Sequence, residues 1–231
     1  MNIVIFGGGE PGKLGNTLGL KAQANGHKVL IISHKSHSEN TLDTIVTEFN
    51  IDAVAESFEQ AISQLGHVDL VLYCSRHVPG QITTETFDSG VIPVDDYYQT
   101  LLVDVLIPQK LMMLAHQKKM KTHFVFFTTW LSFNLVHDND CKHSTYIGGK
   151  AWQRHLMRAV GCMDTTITAT TFSVHFDWSE DNTRKIDYLY DFITLYQKNT
   201  ATVIVHKVGF AQLLDGYHIN DLAPLIKIKR S

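Results

Sequence analysis

The sequence has few of the residues that build disulfide frameworks or zinc sites. Only three of its 231 residues are cysteine, Cys74, Cys141 and Cys162, and no two of them form a CxxC pair. An odd count without paired spacing argues against disulfide bonds and against a structural zinc site. We therefore expect a reducing compartment, the cytoplasm, and no bound metal, although histidines cluster at 34–37 and 137–143.

The chain also lacks a long apolar run and a strong charge of either sign. Its longest apolar stretch, Phe124 to Val136, has about 13 residues and includes threonine, serine and asparagine, whereas a membrane-spanning helix needs about 20 apolar residues. No basic, apolar leader precedes the first predicted strand. The net charge is −3, and the one basic stretch lies at 227–230, so the chain has no electrostatic reason to bind nucleic acid. We expect neither a membrane nor a nucleic acid as partner.

What the sequence does have is an alternation of short apolar runs and helical patterns. Runs rich in branched and aromatic residues predict strands buried on both faces, at 3–6, 28–33, 52–55, 69–74, 123–128 and 166–172. Helical spacing lies between them, at 14–25, 38–49, 57–65, 95–119 and 145–161. The alternation predicts one α/β domain over residues 1–231, a doubly wound parallel sheet of the Rossmann type with helices on both faces.

One segment does not fit the alternation. Residues 176–199 are charged and aromatic and have no strand pattern. They follow the last predicted strand, at the carboxyl edge where open α/β sheets bind ligands. We expect a loop-like insertion here that contributes to substrate binding.

The glycine cluster GGGEPGKLG, residues 7–15, joins the first predicted strand to the first predicted helix. Backbone amides and the helix dipole meet at such a junction, and glycine lets a phosphate approach them closely. A plain tight turn would also use glycine, but the position in the first strand–helix unit favours a dinucleotide site. The predicted cofactor-binding residues in this loop are Gly7, Gly9, Gly12, Leu14 and Gly15.

The end of the second predicted strand bears on the choice of cofactor. An NAD-selective site has a carboxylate there, to accept from the ribose 2′-hydroxyl, whereas this chain has Ser33, His34 and Lys35. A hydroxyl and a cation suit a 2′-phosphate. The sequence therefore favours NADP(H) over NAD(H), with these three residues as ligands.

Tyr146 and Lys150 form the candidate catalytic pair. Residues four apart on a helix share a face, so the phenol and the ammonium can approach one another. A nearby ammonium stabilises the phenolate, which makes the phenol a usable proton donor and acceptor at neutral pH.

With its glycine loop, strand–helix alternation and YxxxK pair, the chain resembles the short-chain dehydrogenases/reductases over about residues 1–175. The resemblance implies that Tyr146 is the general acid/base and that Lys150 holds the nicotinamide ribose. It also implies a serine that hydrogen-bonds the substrate oxygen. Strand alignment assigns that position to Thr129, whereas spacing assigns it to Ser132, which precedes Tyr146 by 14 residues. Both remain candidates.

The chain departs from this family's pattern at several positions. The family's asparagine on the long helix before the fifth strand corresponds to Asp104, a carboxylate that accepts hydrogen bonds but cannot donate them. Tyr73-Cys74-Ser75-Arg76 stands where the family has Asn-Asn-Ala-Gly, and the aspartate that contacts adenine falls near Ala55. Glu10 lies where it would repel a pyrophosphate unless it points outward.

Three functions remain open on the sequence alone. The first is an NADP(H)-dependent carbonyl reductase or alcohol dehydrogenase that acts on a small molecule. The second is a non-catalytic NADP(H)-binding regulatory protein of the same fold. The third is an epimerase or dehydratase with a retained cofactor.

The resemblance also implies a homodimer or homotetramer, formed through the two helices that flank the fifth strand. These helices carry many apolar residues: Leu101, Leu102, Leu106, Met112, Met113, Trp152, Leu156 and Met157.

Overall fold

The computed structural model describes residues 1–77, 88–90, 93–128, 144–161, 166–173 and 183–196. Within them six strands form one sheet: β1 Asn2–Phe6, β2 Lys28–Ser33, β3 Asp43–Val46, β4 Leu70–Tyr73, β5 His123–Thr128 and β6 Thr168–Ser173. All adjacent pairs are parallel, in the order β3-β2-β1-β4-β5-β6. The direction of winding reverses between β1 and β4, which creates the crevice where doubly wound sheets bind ligands.

The helices cover both faces of the sheet, as the sequence predicts. They are α1 Leu14–Ala24, α2 Ile51–Leu65, α3 Val94–Leu101, α4 Ile107–Gln117, α5 Ser144–Gly161 and α6 Thr183–Tyr196, with a π-helical turn over Leu102–Leu106 between α3 and α4. One apolar core lies under α2, the π turn and α4, and the other lies under α1 and α6. The doubly wound α/β fold is therefore confirmed.

Two of the predicted elements are wrong in type. Residues 38–49, expected as a helix, contain β3, where Thr44, Ile45 and Val46 pair with β2. Asn40 turns the chain into this strand, because its side chain accepts from the amide of Leu42 and donates to Thr44. Pairing with an existing strand outweighs a helical spacing in so short a segment.

Residues 52–55, expected as a strand, form the first turn of α2 instead. Asn50 caps this helix by accepting from the amide of Ala53 at 2.9 Å. The buried residues of α2 then recur at helical spacing and face the sheet: Val54, Ala55, Ser57, Phe58 and Ala61. The third strand thus ends at Val46, and the position that the resemblance assigns to adenine is Thr47 or Glu48, not the neighbourhood of Ala55.

The segment 176–199 contains a core helix. In α6 the side chains of Ile186, Leu189, Tyr190 and Ile193 are buried in the same core as α1. Lys21 of α1 also reaches α6, where it pairs with Asp187 and lies over the ring of Tyr190. The expected loop-like insertion can therefore apply only to the rest of the segment, which lies outside the described residues.

Candidate active site

The glycine loop packs against the carboxyl ends of the strands on either side of β1. Gly7 has φ +76°, and a Cβ there would lie 2.4 Å from Ser75 Oγ, just beyond β4. A Cβ on Gly9 would lie 2.7 Å from Ser33 Oγ, at the end of β2. A Cβ on Gly15 would lie 2.7 Å from the Cα of Gly8. Close packing therefore explains these glycines without any ligand.

Gly12 differs, because packing does not explain it. It has φ +77°, and a Cβ there would meet no atom within 4 Å. The adjacent end of α1 has no side-chain cap and no acidic residue in its first turn, so its amides are open to an anion. Glu10, the residue expected to oppose a phosphate, is exposed, and its carboxylate lies 3.8 Å from Lys13 Nζ. This end of the loop fits a cofactor pyrophosphate.

The three residues assigned to a 2′-phosphate differ in exposure. Ser33 is buried, and its hydroxyl accepts from the backbone amide of Lys35 at 3.4 Å. His34 and Lys35 are exposed, and the His34 ring packs edge-on against Phe49. Two exposed basic or polar side chains thus stand at the carboxyl end of β2.

Tyr146 and Lys150 lie on one face of α5, as their spacing predicts. Lys150 is buried, with its Nζ 5.9 Å from the centre of the Tyr146 ring, and Tyr146 is half-buried. Burial raises the pKa of the Cys74 thiol, which directly follows β4. The Lys150 ammonium lies near enough to act in the opposite direction. Cys74 precedes Ser75, the residue that contacts Gly7. The glycine loop and the Tyr146–Lys150 pair therefore share one edge of the sheet.

Asp104 forms an ion pair with Lys150. Its Oδ1 lies 2.8 Å from Lys150 Nζ, and both side chains are almost completely buried. Burial raises the pKa of the Asp104 carboxyl, and Lys150 acts in the opposite direction. Gly149 makes the close approach possible, because a Cβ there would lie 3.0 Å from Asp104 Oδ2.

The π turn that carries Asp104 has a local cause in the sequence. Pro108 follows Asp104 by four residues and has no N–H to donate to the Asp104 carbonyl, so regular α-helical bonding fails here. The wider turn is anchored to the sheet, because the Tyr73 hydroxyl of β4 donates a hydrogen bond to the Val103 carbonyl. Burial and the Asp104 carboxylate raise the pKa of Tyr73, which keeps the phenol protonated. Turns of this kind are common at functional sites.

Sequence reasoning did not find every residue of this site. It missed the bond between Tyr73 and Val103, and it missed the contact of His77 Nε2 with Asp96 Oδ1, at 3.0 Å. The spacing of Pro108 from Asp104 was a readable signal for the π turn. Nothing in the sequence signalled the pairing of His77 with Asp96, since those residues are 19 positions apart and are brought together only by the fold.

Some of the expected site residues lie outside the part of the chain that the structure describes. Thr129 and Ser132, the alternatives for the substrate-oxygen ligand, lie outside the described residues, as does the polar stretch 137–143. Within the described ranges no three His, Cys, Asp or Glu side chains form a metal-binding group. None of the helices described there has the length and apolar content to span a bilayer.

Comparison with solved structures identifies the fold. A variant of a Serratia marcescens short-chain dehydrogenase/reductase matches with a TM-score of 0.65 and 15% identity, over 85% of this chain and 88% of that one. An apo SCOR enzyme from Clostridium thermocellum matches with a TM-score of 0.64 and 13% identity, over 88% and 90%. A Leptospira borgpetersenii short-chain dehydrogenase with bound NAD⁺ matches with a TM-score of 0.61 and 15% identity, over 76% and 72%.

These matches show that the chain has the fold of the short-chain dehydrogenases/reductases, which confirms the resemblance at the level of the fold. No family model matches the sequence, and no curated protein sequence matches it. The chain is therefore divergent in sequence.

Proposed function

We propose that this protein is a nicotinamide-dependent oxidoreductase that interconverts a small carbonyl compound and its alcohol. One observation carries the proposal: Lys150 acts electrostatically on Cys74, whose neighbour Ser75 packs against Gly7, so the Tyr146–Lys150 pair and the glycine loop lie at the same edge of the sheet. A proton-exchanging phenol beside a dinucleotide site is what carbonyl reduction requires.

The residues present suit such a cofactor. Gly12 and the uncapped start of α1 would receive the pyrophosphate, with Gly7, Gly9, Leu14 and Gly15 shaping the loop. Ser33, His34 and Lys35 would receive a ribose 2′-phosphate, which favours NADP(H) over NAD(H). When bound, the nicotinamide supplies or accepts the hydride.

In this mechanism the chain's own residues handle the proton and the substrate. Tyr146 donates a proton to the carbonyl oxygen during reduction and takes it back during oxidation. Lys150 stabilises the phenolate form and binds the nicotinamide ribose. Thr129 or Ser132 hydrogen-bonds the substrate oxygen, and Asp104 holds the ammonium of Lys150.

The Asp104–Lys150 ion pair also favours a second candidate, a cofactor-binding regulatory protein without turnover. An ammonium that is already bonded to a buried carboxylate has less freedom to bind a ribose and to stabilise a phenolate.

We further propose that the protein acts in the cytoplasm and forms a homodimer or homotetramer.

The test is turnover of a panel of aldehydes, ketones and alcohols, followed by NADPH absorbance. Tyr146→Phe removes only the hydroxyl, so we expect turnover to fall by about 10² or more, with cofactor binding retained. Tyr98→Phe, which changes an exposed tyrosine on α3, is the matched control. A Tyr146→Phe rate within a few-fold of the unmodified protein would refute the mechanism. Cofactor binding by the unmodified protein without turnover of any compound would favour the regulatory candidate.

A further inference from the structure

Four charged side chains and one histidine, here called the charge group, interact at the candidate site: Arg76, His77, Asp96, Asp104 and Lys150. Lys150 pairs with Asp104 at 2.8 Å, and His77 contacts Asp96 at 3.0 Å. Both Arg76 and His77 act electrostatically on Asp104. The charge group thus contains two carboxylates and two permanent cations, whose charges cancel.

Asp104 and Lys150 are the deeply buried members of the charge group. The Asp104 side chain is 0% exposed and that of Lys150 is 3% exposed. Tyr73, whose pKa is raised by burial and by Asp104, is buried and stays neutral. Solvent and salt screen such buried charges poorly, so the loss of one is felt over a longer distance than the loss of a surface charge.

The two redox forms of a nicotinamide respond differently to the charge of their site. The oxidised ring carries a positive charge, and the reduced ring carries none. An uncompensated ammonium at this edge of the sheet would therefore weaken binding of the oxidised form alone. The Asp104 carboxylate removes that repulsion without moving the ammonium.

This inference rests on the proposed function. We propose that Asp104 is a positioning residue that cancels the charge of Lys150 and thereby sets the relative affinity of the site for oxidised and reduced cofactor. An asparagine would fit the same space beside Gly149, but it would leave the charge group with a net positive charge. The carboxylate thus favours binding of the oxidised cofactor over the reduced one.

The experiment measures dissociation constants of NADP⁺ and NADPH by titration calorimetry, and their ratio is the readout. Asp104→Asn should raise the constant for NADP⁺ relative to that for NADPH by about tenfold, the size of a charge interaction over several ångströms at intermediate dielectric constant. The double variant Asp104→Asn/Lys150→Met is neutral again and should restore the ratio to within about threefold of the original. Asp104→Glu keeps the charge and should also preserve the ratio.

Two further variants control for position and folding. Asp95→Asn makes the same change of charge at an exposed position of α3 and should leave the ratio unchanged. Asp96→Asn removes the more exposed carboxylate of the charge group and should shift the ratio in the same direction as Asp104→Asn, by about threefold. It takes the place of Asp104→Asn if that variant does not fold.

The outcomes separate this inference from the proposed function. Equal weakening of NADP⁺ and NADPH by Asp104→Asn would show a purely structural role and would overturn the inference while the proposed function stands. An unchanged ratio in a folded Asp104→Asn, or in Asp96→Asn where it is used instead, would do the same. If the unmodified protein binds none of NADP⁺, NADPH, NAD⁺ and NADH, the proposed function is wrong and this inference is wrong with it.

Discussion

The hydroxyl of Tyr73 donates a hydrogen bond to the backbone carbonyl of Val103, and this bond joins the end of β4 to the π turn. Both groups are buried. Because Asp104 is the next residue in the turn, the bond also helps to fix the carboxylate that pairs with Lys150. A residue of the sheet therefore supports the position of a charge in the candidate site.

Tyr73→Phe should destabilise the fold by about 1–3 kcal/mol, because it leaves the buried Val103 carbonyl without its donor. The measurement is urea unfolding at equilibrium. Tyr98→Phe, at an exposed position on α3, should change the free energy of unfolding by less than about 0.5 kcal/mol. A Tyr73→Phe variant as stable as the Tyr98→Phe variant would contradict the structural role given to this bond.

Alanine at two glycines of the loop should separate packing from ligand binding. Gly7→Ala combines a left-handed φ with a Cβ 2.7 Å from the backbone of Ser75, so we expect a loss of about 3 kcal/mol in unfolding free energy. Gly12→Ala has the left-handed φ but open space, so it should cost only about 1 kcal/mol. Cofactor affinity should nevertheless fall at least tenfold in Gly12→Ala, since its Cβ projects where an anion would approach.

Unfolding and calorimetric titration of both variants check this prediction. An unchanged cofactor affinity in Gly12→Ala would mean that the open side of the loop does not receive the pyrophosphate. The stability of Gly7→Ala tests the structure alone, because Gly7 contacts Ser75 whether or not a cofactor binds.

The buried ring of His123 should make the folded protein less stable in mild acid. Its ring lies between Thr168 Oγ1, at 2.7 Å from Nδ1, and Thr170 Oγ1, at 3.0 Å from Nε2. Burial lowers the pKa of His123 to about 4, from an ordinary value of 6.5. The unfolded chain therefore takes up a proton at a higher pH than the native protein, so stability is complete above pH 6.5 and falls as the pH is lowered toward 4.

Between pH 7 and pH 5 this residue alone should cost about 2 kcal/mol of unfolding free energy. His123→Gln, which cannot titrate, should lose that part of the pH dependence when unfolding by urea is compared at the two pH values. The same substitution at the exposed His116 is the control. A His123→Gln variant with the pH dependence of the unmodified protein would show that the ring is protonated as easily when folded as when unfolded.

The sequence correctly predicted those elements that a local residue pattern defines. Strand β5 and the end of α2 at Leu65 match their predicted positions because a continuous apolar run and a following glycine mark them. Strand β3 was missed because a four-residue strand at the edge of a sheet is defined by pairing with β2. The spacing of Tyr146 and Lys150 predicted that they share a face, but the pairing of Lys150 with Asp104 required the packing of α5 against the π turn.

Self-association through α3, α4 and α5 is expected from the apolar side chains that these helices expose: Val94, Tyr97, Tyr98, Met113 and Trp152. Of the residues first expected at this surface, Leu102 and Met112 lie in the core instead. Trp152→Asp should raise the dissociation constant of the oligomer at least tenfold, because a large aromatic anchor contributes strongly to an interface. Leu20→Asp, at an exposed position of α1, is the control, and sedimentation equilibrium is the measurement. A monomer at micromolar concentration before any substitution would refute the oligomer.

Cofactor selectivity tests the assignment of the end of β2. If exposed His34 and Lys35 bind a 2′-phosphate, NADPH should bind more tightly than NADH by about 1–3 kcal/mol, the range for charge-assisted hydrogen bonds. Lys35→Asp should erase or reverse this preference, because it replaces a cation by a carboxylate able to accept from a 2′-hydroxyl. Lys28→Asp makes the same change at the opposite, amino end of β2 and should leave the preference intact. Fluorescence titration of both cofactors gives the ratio directly, and equal affinities in the unmodified protein would refute the role of Ser33, His34 and Lys35.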